Sequence, residues 1–591
     1  MAKRNFKTHP CDLSVLAREL RRYRSCVGRG QVAIEVASRN AILIGKQEAT
    51  SAVGFFEAYF CAQKPKGGFP RKTRTKRLML STKRNRRRST SMATSEVIKN
   101  FIDGEWRDCS SGKRIEVDDP SNGETVAVIA EAGPEEVHLA VAAADRVFRD
   151  RVLIDMHPYD RGRMLFRVAD ALEARSDEVA IINCIDTGKA LDLARGEVRT
   201  AVRYLRYYAG LADKLEGRSI PRGADLVDYT VRSPFGVSAQ IVPWNGPLEL
   251  TARSLACAIA TGNAVVVKSP ELAPLSGIEL ARACETAGLP AGAVNVLTGY
   301  GQTAGQALID HPDVRHIVFT GSMATGRTVL KAAAERIVPC IMELGGKSAA
   351  VVYSDADLDA VVEAVRIGTY LNAGQNCNNL TRLLVERSIA DETLERVKAC
   401  VEGLSIGPGR ENCDITPLIS PKQREGVESA CRMALSQGAR LVAGGTALSV
   451  RSGYFMAPTV FADVAPDSSL FQEEVFGPVL SVTAFDDPIK GIELANDTDQ
   501  GLAAGVFTRD IDRALWSADR LWAGQVYVNG WYVGGVETPF GGVKKSGYGR
   551  EKGQEALDGY VQTRNIGIRI SQPLSGSGNS EPAVNRSDRY C

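Results

Sequence analysis

Residues 264–298 read AVVVKSPELAPLSGIELARACETAGLPAGAVNVLT, and their pattern decides the fold. Ala264-Val265-Val266-Val267 is a short β-branched run. The stretch from about Ser276 to Ala287 has helical character and is stopped by Gly288-Leu289-Pro290, after which Val294-Asn295-Val296-Leu297 forms a second such run. Strand, helix and strand at this separation suit the crossover that a parallel sheet requires. The same punctuation extends outward, with Gln240-Ile241-Val242 before this unit and His316-Ile317-Val318-Phe319 after it. Upstream, Pro134-Glu135-Glu136 opens a helix with apolar Val137, Val141, Ala144 and Phe148 on one side. Downstream, a second α/β region has strands at Ala349–Tyr353, Gly505–Phe507 and Gln525–Asn529 and a helix from Leu358 to Tyr370. The fold class is α/β, with a nucleotide-binding half.

At 591 residues the chain has room for about two to four domains and a large core. Its 44% hydrophobic and 24% charged residues are ordinary for a globular protein, and no uncharged apolar run reaches the roughly 18 residues that span a bilayer. Thirteen cysteines are scattered without a CxxC pair, and the five histidines form no CxxH or HExxH pattern. Neither a metal site nor a disulfide framework is expected, and reduced thiols point to a cytoplasmic protein.

Charge divides the chain unevenly. Residues 1–90 hold 22 Lys or Arg against five acids, which leaves −14 on the rest of a chain whose formal net charge is +3. The clusters at 71–77 and 83–88 favour disorder over packing. A nucleic-acid-binding arm, a transit peptide, a solvated tail, and a coding start that falls instead at Met92 all fit residues 1–91. Nucleic acid is an expected partner only through that extension.

Four clusters could carry chemistry. Pro243-Trp244-Asn245-Gly246-Pro247 follows a strand, where the Asn245 amide could donate to an oxyanion, although a turn asparagine among prolines reads the same way. Lys268-Ser269-Pro270-Glu271 could hold ribose hydroxyls or be a solvated loop. Phe319-Thr320-Gly321-Ser322 ends a strand before a helix, so Gly321 and Ser322 could seat a phosphate or simply cap the helix. By contrast, 299–305 does not fit GxGxxG because its third glycine falls one residue late. In Glu343-Leu344-Gly345-Gly346-Lys347 a carboxylate follows apolar Ile341-Met342, a setting that tunes an acid towards general-base duty. Cys377 lies in the polar turn Gly374–Asn379; a lone cysteine is usually a buried hydrophobe, and a cysteine protease finds no histidine beyond His316.

The ordered set PWNGPL, VVVKSPE, FTGSMATG, ELGGK, GQNC, EEVFGP and PFGGVKKSGYGRE resembles the NAD(P)-dependent aldehyde dehydrogenase superfamily from about Ile102 to Ile568. Phe101–Trp106 is similar to that family's first hairpin. The resemblance implies Cys377 as nucleophile, Glu343 as general base and Asn245 as an oxyanion donor beside the Cys377 backbone N–H, with no metal. It also implies cofactor contacts at Trp244, Lys268, Glu271, Gly321, Ser322, Glu474 and Phe476. A carboxylate at Glu271 accepts from a ribose hydroxyl and repels a phosphate, so NAD is expected over NADP. The expected reaction is oxidation of a small aldehyde to an acid. A CoA-acylating semialdehyde dehydrogenase and a catalytically retired binding protein are the alternatives.

The resemblance further implies a homodimer or homotetramer. It assigns 92–214 with 234–345 to a Rossmann-like NAD-binding domain and 346–545 to a catalytic domain. Residues 215–233 with 546–570 form a small β oligomerisation element, and 571–591 a flexible tail. Two departures stand out: residues 1–91 match nothing in the family, and Asn376, Asn378 and Asn379 make the aldehyde pocket polar around the thiol. Trp531 and Tyr532 are candidates for the aldehyde entrance or for core packing.

Overall fold

A computed structural model describes residues 96–570, apart from 224 and 451. The basic extension 1–91 and the tail 571–591 lie outside the described residues. No helix among the described residues is long and apolar enough to cross a membrane.

The β-branched runs form the parallel core of the first sheet: β1 (Val237–Ile241), β2 (Ala264–Ser269), β3 (Val294–Thr298), β4 (His316–Gly321) and β5 (Cys340–Leu344). Every residue of β2 is buried, as expected where helices cover both faces and a strand need not alternate. From central β1 the chain steps through β2 to β3 on one side, then returns to place β4 and β5 on the other. The hairpin Asn100–Ile102 and Glu105–Arg107 adds to β3, and Gly547–Tyr548 runs antiparallel to β5.

Helix α1 (Pro247–Thr261) follows β1, α2 (Leu275–Thr286) follows β2, and α3 (Met323–Arg336) follows β4. Proline at the first turn of α1 loses no hydrogen bond, and Gly262 ends it at φ 92°. The ARSLACAIA run leaves α1 buried on nearly every face, packed against the helix Leu191–Leu211.

A short crossover, Gly345-Gly346-Lys347, carries the chain into the second sheet. Its parallel strands are β6 (Ser348–Val352), β7 (Leu380–Glu386), β8 (Thr459–Ala462), β9 (Val479–Phe485), β10 (Ala503–Phe507) and β11 (Gln525–Val528), in the order β8-β9-β7-β6-β10-β11. Ala349 and Val351 enter one hydrophobic cluster while Ala350 and Val352 enter another, so the two faces have separate cores. Helix α4 (Leu358–Tyr370) packs on this sheet, capped by Asp357.

Ser219–Ile220, Leu226–Pro234 and Val561–Arg569 form a third, three-stranded sheet. The sequence assignment of 546–570 to one small β element needs correction at its start. Gly547–Tyr548 extends the first sheet, and Glu551 is buried against α1; only Val561–Arg569 joins the third sheet.

Candidate active site

Where a doubly wound sheet reverses direction, the connections from two neighbouring strands diverge and leave a crevice at their carboxyl ends. Here the neighbours are β1 and β4. Trp244 and Asn245 follow β1, Gly321 closes β4, and Ser322 opens α3. A Cβ on Gly321 would come within 2.7 Å of the Phe319 ring, so glycine keeps the turn tight. Ser322 does cap α3, its Oγ accepting the Thr325 N–H at 3.3 Å, and it is exposed. One strand further out, buried Lys268 donates to Glu271 at 2.6 Å, with the carboxylate partly open to solvent.

Asn245 is held through its backbone. Its carbonyl accepts from Lys189 Nζ at 2.9 Å and from Asn372 Nδ2 at 3.3 Å. Lys189 is itself ion-paired to Glu197, both side chains being almost completely buried. The other Glu197 oxygen accepts the N–H groups of Leu248 and Glu249 in the first turn of α1, at 2.9 and 3.2 Å. One buried ion pair therefore clamps the asparagine turn to the start of the helix behind it.

The cysteine turn is unusual in its backbone. Asn372, Ala373 and Gly374 are successive left-handed residues at φ 55°, 53° and 73°. Each of the first two costs roughly 1–2 kcal/mol relative to ordinary backbone. At Gly374 a Cβ would lie 2.1 Å from the Gly477 carbonyl, so no side chain fits. Local amides fix the turn: Gln375 donates to the Asn372 carbonyl at 3.1 Å and accepts the Ile419 N–H at 2.9 Å.

This bears on the polar pocket expected from Asn376 and its neighbours. Asn376 donates to the Leu371 carbonyl and Asn379 to the Thr369 carbonyl, both at 3.1 Å. The Trp531 indole N–H bonds the Asn378 carbonyl at 3.1 Å. These amides brace the loop, and Trp531 is buried in the core beneath it.

Half-buried Cys377 lies among carboxylates. Burial pushes its thiol up to about 12, the Glu343 and Glu474 carboxylates push the same way, and Arg253 and the Asn378 N–H oppose them. Glu343 sits on β5 between Thr320 and Gly547 in register, 3% exposed, with neither carboxylate oxygen hydrogen-bonded. Burial pushes its carboxyl up to about 8, Arg253 works against this, and Glu551 adds to it.

Glu474 is drawn to the crossover by the Gly346 N–H at 3.3 Å, and burial raises it to about 7. A Cβ on Gly345 would overlap the Glu474 carboxylate, and one on Gly346 would lie 2.8 Å from the Cys377 carbonyl. The two glycines let both groups reach the crossover. Trp244 meets Phe476 edge to face, ring centroids 5.3 Å apart.

The structure thus groups Cys377, Glu343 and Glu474, ties the Asn245 turn to the cysteine loop, and pairs Trp244 with Phe476. Lys268, Glu271, Gly321 and Ser322 line the strand ends and make no hydrogen bond to Cys377. Sequence reasoning missed Lys189, Glu197, Arg253, Asn372 and Glu551. Arg253 did carry a signal, being a charge inside the apolar run of α1.

A sheet reversal point tied through Asn245 and Asn372 to a carboxylate-flanked thiol fits an α/β enzyme. The aldehyde dehydrogenase family is matched over residues 106–566, and the chain belongs to that family. It is similar to an aldehyde dehydrogenase of Aspergillus niger, 39% identical over 476 residues, 80% of this chain and 95% of that one. A betaine aldehyde dehydrogenase of Cereibacter sphaeroides is 40% identical over 477 residues, 80% and 98% of the two chains. The aldehyde dehydrogenase of Bacillus cereus, solved as an NAD+ complex, superposes with a TM-score of 0.79 at 37% identity, covering 80% of this chain and 97% of that one.

Proposed function

We propose that this enzyme oxidises an aldehyde to a carboxylic acid with NAD+ as acceptor, through a thioester on Cys377. The observation that carries the reading is Glu343, a buried carboxyl with no hydrogen-bond partner whose charge acts directly on the Cys377 thiol. A buried polar group left unbonded is costly, and a reacting water or substrate at this position supplies the missing partner.

The residues fit a dinucleotide. Lys268 and Glu271 would offer a donor and an acceptor for ribose hydroxyls, Gly321 and Ser322 lead into an exposed helix N-terminus suited to pyrophosphate, and Trp244, Glu474 and Phe476 would hold the nicotinamide end. The Glu271 carboxylate favours NAD over NADP. When bound, the nicotinamide supplies the acceptor for the hydride equivalent that leaves the substrate carbon.

The protein's own residues do the rest. The ionised fraction of Cys377, its proton lost to solvent, attacks the carbonyl carbon through Sγ and forms a tetrahedral thiohemiacetal oxyanion. The Asn245 side-chain amide and the Cys377 backbone N–H donate to its oxyanion; one such donor is typically worth ~10²–10³ in rate. After oxidation the carbon is a thioester. Glu343, ionised, takes a proton from water, the oxygen adds to the thioester carbonyl, and Cys377 Sγ leaves with release of the acid.

In this reading the first sheet serves the cofactor and the second carries the nucleophile. Val561–Arg569 is the edge strand of the third sheet among the described residues, with Ile568 and Ile570 exposed, and it extends a neighbour's sheet in a homodimer or homotetramer. Cys109, Cys184, Cys257, Cys284, Cys340, Cys377, Cys400 and Cys431 carry free thiols, in keeping with the cytoplasm.

A panel of aliphatic, aromatic, amino and semialdehyde substrates, scored by absorbance of reduced dinucleotide with and without Cys377→Ala, tests the proposal. Acid formation by the wild type and none by the variant is expected; an unaffected variant overturns it, and acyl-CoA formed only with added coenzyme A replaces water by a thiol.

A further inference from the structure

Behind Glu343 lies a cation that the reaction does not touch. Arg253 extends from α1 and is 4% exposed. Its Nε forms an ion pair with Glu551, and its Nη2 reaches Thr320 Oγ1 at 3.5 Å. Thr320 is the residue directly beside Glu343 in the β4–β5 ladder. The guanidinium is therefore ion-paired with Glu551, while its charge also acts on Glu343.

The two carboxylates are treated unequally. Glu551 is 1% exposed and receives, besides Arg253, the Ser254 hydroxyl at 3.1 Å and the Tyr560 hydroxyl at 2.7 Å. Glu343 receives no hydrogen bond at all. One fixed cation and two buried carboxylates leave an excess negative charge whenever both acids are ionised, and arginine cannot give up its proton to relieve it. Glu551 thus has both an ion pair and hydroxyl donors, whereas Glu343 has neither.

We infer that Arg253, shared between Glu551 and Glu343, is a positioning residue that sets the pH range in which Glu343 works as a base. By engaging the guanidinium, Glu551 denies Glu343 its strongest counter-charge and holds it as a strong base that ionises late. The other groups facing Glu343 are Lys552 and Arg550 from the segment beside Glu551, and the Cys377 thiol from the cysteine loop. Arg253 also faces Tyr204 and Tyr560. None of these replaces Arg253, because it alone reaches the neighbouring ladder position from the interior of α1.

The inference rests on the proposed role of Glu343 and can fail separately from it. An activated ester such as 4-nitrophenyl acetate acylates a cysteine without any redox step, so its steady turnover reads deacylation without dinucleotide. Arg253→Met alone would bury Glu551 unpaired and risk unfolding. The informative variant is Glu551→Gln, which keeps the shape and the two hydroxyl contacts while removing the competing charge.

With Glu551→Gln, Arg253 turns to Glu343, and the acid limb of deacylation moves to lower pH by about one unit or more. In Arg253→Gln/Glu551→Gln the cation is gone as well, and the limb moves back up. A pH midpoint is independent of how much enzyme is folded, which separates tuning from damage. Coincident limbs in the wild type and both variants, while Glu343→Gln abolishes deacylation, overturn the inference alone. Normal deacylation by Glu343→Gln overturns the underlying assignment of the base.

Discussion

Asn372 Nδ2 donates to the backbone carbonyl of Asn245 at 3.3 Å, joining the turn after β1 in the first sheet to the loop that carries Cys377 ahead of β7 in the second. Asn372 makes this bond from a left-handed backbone at φ 55°. The candidate oxyanion donor and the nucleophile are thus fixed to each other by main chain and amide, so the side chain of Asn245 stays available for substrate. Asn245→Ala should lower kcat/KM for the aldehyde by ~10²–10³ with little change in cofactor affinity. Steady-state kinetics alongside a dinucleotide-binding titration check it.

The thiol itself is not pre-ionised. With burial and two carboxylates holding Cys377 near 12, its thiolate fraction in the free enzyme should keep rising from pH 7 to 10 without a plateau, more shallowly where Glu343 and Glu474 themselves ionise. Iodoacetamide inactivation followed across that range reads the slope; a plateau below pH 8 would show a thiol activated before substrate arrives.

Glu343 gives a stability prediction with a definite sign. Its carboxyl is raised to about 8 in the fold, against roughly 4.3 in an unfolded chain. Between these values the native state binds the extra proton, so this group's contribution to stability falls as pH rises through that window and is fully lost above 8. Glu343→Gln stays neutral throughout. The melting temperature of the variant minus that of the wild type should therefore increase from pH 5 to pH 9, measurable by differential scanning fluorimetry.

Lys189 and Glu197 form a buried pair under the asparagine turn. Lys189→Met leaves the Glu197 carboxylate buried without its counter-ion, which should cost about 3–5 kcal/mol in urea unfolding. The same change removes one of the two donors on the Asn245 carbonyl, so the surviving enzyme should lose kcat more than affinity for dinucleotide.

At the cofactor end, Glu271→Gln removes a negative charge near the Lys268 ammonium while leaving a hydrogen-bonding side chain. The ratio of kcat/KM for NADP to that for NAD should rise by about tenfold, as expected for the loss of one like-charge repulsion.

Much of this architecture was legible in the sequence because the parallel strands are buried on both faces. Ala264–Val267 and Val294–Leu297 announce themselves as continuous apolar runs, and Pro134, Pro247 and Gly288 mark helix ends. Motif order placed the chemistry-bearing residues on strand ends for the same reason: an open α/β sheet has few other places to put a ligand. What stayed hidden depends on long-range pairing.

Nothing near Arg253 announces Glu551, almost 300 residues away, and nothing near Lys189 announces the Asn245 carbonyl it holds. The asparagines around Cys377 have a second role that the sequence does not show. Polar letters beside a thiol suggest a polar pocket, and the letters alone do not show that Asn376 and Asn379 also bond backbone carbonyls around the turn. The segment 546–559 went to the wrong sheet because two-residue Gly547–Tyr548 is too short to show any periodicity.

Trapping the acyl enzyme addresses the central claim most directly. Glu343→Gln should be mixed with NAD+ and an aldehyde that the wild type oxidises, quenched in acid and digested for mass spectrometry. The account predicts about one equivalent of reduced dinucleotide per site together with an acyl group on the peptide containing Cys377. Reduced dinucleotide formed with Cys377 unmodified, or with the acyl group on another residue, would contradict it.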